Sequence, residues 1–168
     1  MTPEAGQTRD RVNATHRTAL TLVLAFAMSI VIYAGVGLMV LSMRASTRAD
    51  VPYAFYAAAA ILAIASIVVR RAMLNRPRIE VVATSRGVEG LIKHLFNTTI
   101  IAAAIAEIIG VLALVVAFVG GDRGDVIRLG VVALAVSLYN YPSRTSWQRV
   151  VDYFSGTNAR AGGTGLGL

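Results

Sequence analysis

Cysteine is absent from this sequence of 168 residues, and histidine occurs only twice. The lack of thiols excludes disulfides, cysteine-bound iron–sulfur clusters and thiolate catalysis. The sequence also lacks metal-ligand spacing, a glycine-rich phosphate loop and a nucleophile triad. We therefore expect no metal, no other cofactor and no enzymatic activity.

Charged side chains are also scarce, at 15% of the chain against 56% hydrophobic residues, and the hydrophobic residues are grouped in long blocks. Four such blocks cover residues 18–43, 53–69, 98–119 and 126–141. A helix rises 1.5 Å per residue, so about 20 residues cross a hydrocarbon core roughly 30 Å thick. The blocks predict an all-α integral membrane protein, folded as a four-helix bundle. The first block is too long for the apolar part of a cleaved signal peptide, so we interpret it as a retained signal anchor.

Basic residues indicate the orientation of the chain. Twelve of the 16 lie in residues 1–17, in the loop 70–97 or after residue 141. The positive-inside rule then places both termini and this loop in the cytoplasm, with four passes through the membrane. We expect this membrane to be the inner membrane of a bacterial cell. Because the basic residues flank the apolar blocks, their expected partners are membrane lipids, not nucleic acid. His16 and His94 flank cytoplasmic ends of spans, where histidine is ordinary, although two histidines on different helices could also hold a haem.

The predicted organisation has three parts. They are a cytoplasmic N-terminal segment, a four-span membrane domain and a flexible glycine-rich tail, over residues 1–17, 18–154 and 155–168. Within the cytoplasmic loop 70–97, residues 75–78 are predicted to form a turn, because Pro77 disfavours helix in the residue before it. Apolar residues at helical spacing over residues 88–96 then predict a short amphipathic helix at the membrane interface, before the third span.

One carboxylate, Glu107, lies in the middle of the third apolar block. A charged residue at bilayer depth costs about 2.5–3.5 kcal/mol to insert, so such residues usually have a role. Its neighbours include the small residues Ala102, Ala103, Ala106 and Gly110. Small residues at this spacing permit close contact between helices, so we assign these four to helix packing and expect the carboxyl to face protein.

The rise per residue identifies two candidate partners for this carboxyl on the first span. Ser29 has a similar predicted depth, and Tyr33 lies about one turn further out. The sequence leaves three roles open for Glu107. It is a protonated carboxyl that only fixes helix packing, a proton or ion site formed with Ser29 and Tyr33, or a contact with a partner subunit.

An arginine-rich turn, an apolar helix with a central glutamate and then residues 108–117 (IIGVLALVVA) resemble the second helix of the proton-carrying c subunit of rotary ATP synthases. The resemblance covers the second and third spans and implies that Glu107 would carry the proton. The chain departs from this family in its alanine-rich second span, its long polar loop and its two additional spans. The whole chain is also similar to uncharacterised four-span bacterial membrane proteins that end in an aromatic-Pro-Arg-Trp stretch, here residues 141–147 (YPSRTSW).

These features favour a multi-pass inner-membrane protein without catalytic activity. It is expected to be a structural or accessory subunit of a membrane complex, or a component that assembles with copies of itself. The alternative is translocation of a proton or cation by the intramembrane glutamate. An enzyme acting on lipids at the basic surface is a third interpretation, but the arginines there are explained more simply as topology signals.

Overall fold

The computed structural model describes residues 3–43 and 53–162, with side chains described over residues 10–43 and 53–154. It contains five helices, which are α1 (Pro3–Met43), α2 (Tyr53–Met73), α3 (Arg76–Val119), α4 (Arg123–Tyr139) and α5 (Arg144–Gly162). Four helical stretches among the described residues are long and apolar enough to cross a membrane. The all-α, four-helix bundle predicted from the sequence is confirmed.

The third helix is the centre of the bundle. It contacts all four other helices, and α4 also contacts α1 and α2. Within the described part of the chain α1 and α2 do not touch each other, so they lie on opposite sides of the α3–α4 pair. Glu107 therefore belongs to the helix with the most neighbours in the fold.

Two hydrophobic cores hold the bundle together. The first joins the four spans and contains Ile30 of α1, Ile109 of α3 and Leu129 of α4. Alanine occupies many of its positions on α3, including Ala106 and Ala113, which are fully buried. Because alanine adds so little width, α3 can lie close to three other helices at once.

The second core lies where α5 folds back against α1 and α3. Trp147 and Val151 of α5 pack there with Val12 of α1 and with Leu91 and Leu95 of α3. We call this part of the molecule the arginine-rich end, because the end of α2 and the start of α3 beside it carry four arginines, Arg70, Arg71, Arg76 and Arg78. The described helices thus form a bundle closed at this end by a packed fifth helix.

Most of the predicted cytoplasmic loop 70–97 is helical, and the turn predicted over residues 75–78 is limited to Leu74 and Asn75. The second helix continues to Met73 and α3 already begins at Arg76, so only Leu74 and Asn75 connect them. Pro77 lies in the first turn of α3, where proline is tolerated because the first N–H groups of a helix have no partner within it.

A kink at Gly87 divides α3. Its φ of 64° and ψ of −167° interrupt the helical dihedral angles, and φ above zero is a conformation that glycine adopts far more readily than other residues. After the kink, the predicted amphipathic helix is present and continues directly into the third span. Its buried side includes Leu91 and Leu95, while Glu89 and Lys93 are exposed.

Both ends of the described chain are helical. The first helix begins at Pro3, so the predicted N-terminal segment and first span are one continuous helix. The last helix extends to Gly162, so residues 155–162 of the predicted flexible tail are helical. Residues 163–168 lie outside the described residues. The first helix continues because the sequence has no proline or turn signal at residues 17–18, whereas the last helix continues through Ser155 and Gly156 although this pair is a turn signal.

Candidate functional site

Glu107 is hydrogen-bonded to Tyr33. The Tyr33 hydroxyl donates to Glu107 Oε1 at 3.1 Å and so joins α1 to α3. Ser29, the other candidate partner, donates to the backbone carbonyl of Ala25 in its own helix at 3.1 Å. Side chains on a helix lean towards its N-terminus. A long tyrosine side chain from one turn further along α1 can therefore reach back to the carboxyl, whereas the short serine side chain is satisfied locally.

The small residues around Glu107 form the seam between α1 and α3. All four residues assigned to packing, Ala102, Ala103, Ala106 and Gly110, are buried. A Cβ atom on Gly110 would lie 2.9 Å from Ile30 Cγ1 and 3.4 Å from Ile30 Cα, closer than ordinary contact allows. The glycine thus lets the two helix backbones approach, and this approach brings the tyrosine hydroxyl within reach of the carboxyl.

A second glycine contact shows the relative direction of α1 and α3. A Cβ atom on Gly37 would lie 3.2 Å from the Ala117 side chain. The pairs Gly37–Ala117 and Ile30–Gly110 have the same separation along the chain, which is the pattern of two parallel helices. Gly35, in contrast, has open space around it. Of the two glycines in the first span, Gly37 therefore has the packing role.

The Tyr33–Glu107 pair lies at the rim of the seam, not inside the bundle. Both side chains are half-buried, and the next residue of α3, Ile108, is exposed. The exposed side of α3 carries an apolar stripe at intervals of three, four and seven residues. We call it the outer stripe, and it consists of Ile101, Ile108, Val111, Val115 and Phe118. We expected the Glu107 carboxyl to face protein. On one side it contacts Tyr33 of α1, but on the other side it lies next to the exposed outer stripe.

A polar network at the opposite end of the bundle fastens α2 to the start of α4. Asp122 and Asp125 form a reciprocal capping box, in which Asp125 N donates to Asp122 Oδ1 at 2.8 Å and Asp122 N donates to Asp125 Oδ2 at 3.1 Å. The Tyr56 hydroxyl donates to Asp125, and Arg128 lies 3.7 Å from the same carboxylate. The sequence analysis missed this network, although an acidic N-cap followed three residues later by a second acid is a capping signal.

A third polar group lies where α4 ends, and sequence reasoning missed it too. Asn140 Nδ2 donates to Ser66 Oγ and to the Val136 carbonyl, both at 2.8 Å. Arg70 donates to the Tyr139 carbonyl, and its guanidinium carbon lies 5.2 Å from the centre of the Tyr139 ring. The available signal was an asparagine at a helix end close before a proline.

The two histidines hold helix ends in place. His16 Nε2 lies 3.0 Å from the Pro142 carbonyl, and its ring packs edge-on against Trp147 at 5.5 Å. His94 Nε2 lies 2.9 Å from the Met73 carbonyl. A carbonyl oxygen only accepts, so both Nε2 atoms carry the proton. A haem between them would require both hydrogen bonds to break, and among the described residues no three His, Asp or Glu side chains are grouped as metal ligands.

The chain was compared with models of known protein families, with curated proteins and with solved structures, and no match was found in any of the three. The functional argument therefore depends on the residues of this chain.

Proposed function

We propose that this protein is a non-enzymatic, multi-pass component of the bacterial inner membrane, with both termini in the cytoplasm. It acts as a structural or accessory subunit, or assembles with copies of itself. The observation that carries this proposal is the position of Glu107, a half-buried carboxyl at the rim of α3 beside an exposed apolar stripe.

The energetic argument concerns the uncovered side of this carboxyl. A charged group facing lipid at this depth costs about 2.5–3.5 kcal/mol, and Tyr33 satisfies one of its oxygen atoms. A helix from another subunit, packed along the outer stripe, would shield the carboxyl from lipid and could donate to its other oxygen. Helix association in membranes is driven by close packing and such interhelical hydrogen bonds, so the rim of α3 is the surface that we assign to assembly.

Crosslinking through single cysteines tests this assignment cleanly, because the natural chain has no cysteine. Ile108→Cys places a thiol on the outer stripe, and Ile61→Cys places one on the exposed side of α2. If copies of the chain pair through α3, oxidation in isolated membranes gives a disulfide-linked dimer for Ile108→Cys and little for Ile61→Cys.

The mass of the detergent-solubilised particle provides the complementary measurement. A particle heavier than one chain, containing either further copies or a second protein, supports the subunit proposal. A strictly monomeric particle that carries no other protein, together with equal crosslinking of both cysteine variants, contradicts it.

The second candidate function is transfer of a proton or cation through Glu107. It is favoured by the tyrosine hydroxyl bonded to a carboxyl that remains partly accessible, and by the resemblance to the proton-carrying c subunit. Labelling by an apolar carbodiimide tests it. Glu107 should be modified at a rate that depends on pH, and Glu107→Gln should abolish the labelling. Absence of labelling in the wild-type protein would exclude this role.

A further inference from the structure

A cavity of about 140 Å³ lies at the arginine-rich end, between the last turn of α2, the first half of α3 and the connection from α4 to α5. We call it the end cavity. An engineered protein cavity of roughly 150 Å³ holds a benzene molecule, so the end cavity has room for a chemical group of a few non-hydrogen atoms. Its walls are part polar and part apolar. The polar lining residues include Thr98 and Asn140, and the apolar ones include Leu74 and Trp147.

Asn140 provides the most specific observation about this cavity. It is 3% exposed and lines the cavity, and its Nδ2 is occupied by Ser66 and by the Val136 carbonyl. The carbonyl needs a donor, which fixes the orientation of the amide. Oδ1 is then buried with no hydrogen-bond partner among the described residues. A buried acceptor without a donor costs about 1–3 kcal/mol, so Asn140 is a strained polar residue in the wall of this cavity.

Arg70 gives the cavity its charge. It is the ionisable side chain among the described residues that line the cavity, and no acidic side chain is among them. One of its N–H groups donates to the Tyr139 carbonyl, and a guanidinium has five such groups. Ser143 and Ser146 also line the cavity, and both residues are exposed. An arginine with neighbouring hydroxyls and no acid is a setting that favours an anion with several acceptor oxygens, such as a phosphate group.

We propose that the end cavity binds the phosphate of an anionic phospholipid headgroup. Arg70 and the serine hydroxyls donate to the phosphate oxygens, and the positive charge of Arg70, with no acidic side chain among the described lining residues, favours a headgroup with net negative charge over a zwitterionic one. Basic pockets between membrane helices on the cytoplasmic side are typical sites for anionic lipid headgroups, and a soluble phosphate ester is the other source of the same chemistry.

The test compares two adjacent arginines in the full-length protein in mild detergent. Arg70 lines the cavity, whereas Arg71 is exposed and does not. Native mass spectrometry with added phosphatidylglycerol, and with phosphatidylcholine as the neutral reference, measures retained lipid. We expect the wild type and Arg71→Gln to retain phosphatidylglycerol equally. Arg70→Gln should bind it at least about tenfold more weakly, because one charge-assisted hydrogen bond is lost.

A second variant keeps the test valid if Arg70→Gln does not fold. Ser146→Leu narrows the cavity from its exposed edge on α5, and it should also reduce retention of phosphatidylglycerol. Competition with inorganic phosphate then distinguishes the two sources. Lipid retention that phosphate does not displace supports the lipid site, whereas binding of phosphate without lipid retention overturns the lipid assignment. Equal loss in the two arginine variants, or equal retention of phosphatidylcholine, overturns the proposal.

Discussion

Gly110 allows α1 to lie close to α3, because its side chain is only a hydrogen atom. The space that a side chain would need is filled by Ile30, which is fully buried. The same spacing lets the Tyr33 hydroxyl reach Glu107. At the scale of residues, packing and the polar pair therefore depend on each other, and each can be tested with a matched control on the same helices.

We expect Gly110→Leu to lower the free energy of unfolding by about 1–3 kcal/mol, because its side chain must displace Ile30 in a filled core. Gly35→Leu is the control, since the space around Gly35 is open and the substitution there should change stability little. Unfolding of the purified protein by added dodecyl sulfate, followed by circular dichroism, measures both. Similar stability of the two variants would show that the seam is looser than the structure indicates.

The Tyr33–Glu107 hydrogen bond should give a measurable coupling in a double-mutant cycle of Tyr33→Phe and Glu107→Gln. Hydrogen bonds between membrane helices couple by about 0.6 kcal/mol on average and by up to roughly 1.7 kcal/mol. A cycle of Ser42→Ala with Glu107→Gln is the control, since Ser42 donates to the Met39 carbonyl of its own helix, and its coupling should be smaller. Equal coupling in the two cycles would contradict the assigned pairing.

At the scale of elements, the unusual feature of the α3 backbone is its kink at Gly87. The dihedral angles of Gly87 lie in a region that is essentially restricted to glycine. Before the kink, Ile79 and Ala83 face the second core, and after it Leu91 and Leu95 do the same. The kink thus lets one helix serve both the packed arginine-rich end and the membrane span.

Gly87→Ala should therefore destabilise the protein by about 1–3 kcal/mol, the usual cost of holding an ordinary residue in such a conformation. Ser85→Ala is the control, because Ser85 is exposed and lies two residues away in a regular turn. Thermal unfolding in detergent, followed by circular dichroism, gives the comparison. If both variants unfold at the same temperature, α3 can straighten at little cost and the kink is not required for the fold.

At the scale of the whole molecule, the distribution of arginine predicts the direction of insertion. Thr145 is exposed at the arginine-rich end, and Arg123 is exposed at the opposite end. In an otherwise cysteine-free chain, a membrane-impermeant maleimide should label Arg123→Cys in intact spheroplasts. It should label Thr145→Cys only after the membrane is opened, because the positive-inside rule places that end in the cytoplasm. The reverse pattern would invert the proposed topology.

The number of spans and their approximate limits could be predicted because a run of apolar residues is a local property, and a helix satisfies its backbone hydrogen bonds within its own segment. The four small packing residues beside Glu107 could be found for the same reason, since their spacing of three and four defines one helix face. Within the loop 70–97, the helix over residues 88–96 was predicted from its apolar spacing, whereas the helical residues before it could not be predicted from their charge. Pro77 was interpreted as part of a turn, whereas the structure places it in the first turn of α3.

By itself, the sequence determined an all-α chain with four apolar helices, a carboxyl in the third of them and two candidate partners for it. These follow from composition and helical period, which need no knowledge of neighbours. Only the tertiary structure decided that Tyr33 and not Ser29 bonds Glu107, that this pair lies at a rim, and that Asn140 and Arg70 border one cavity. Those facts depend on which faces of distant helices meet, and that is set by packing across the whole bundle.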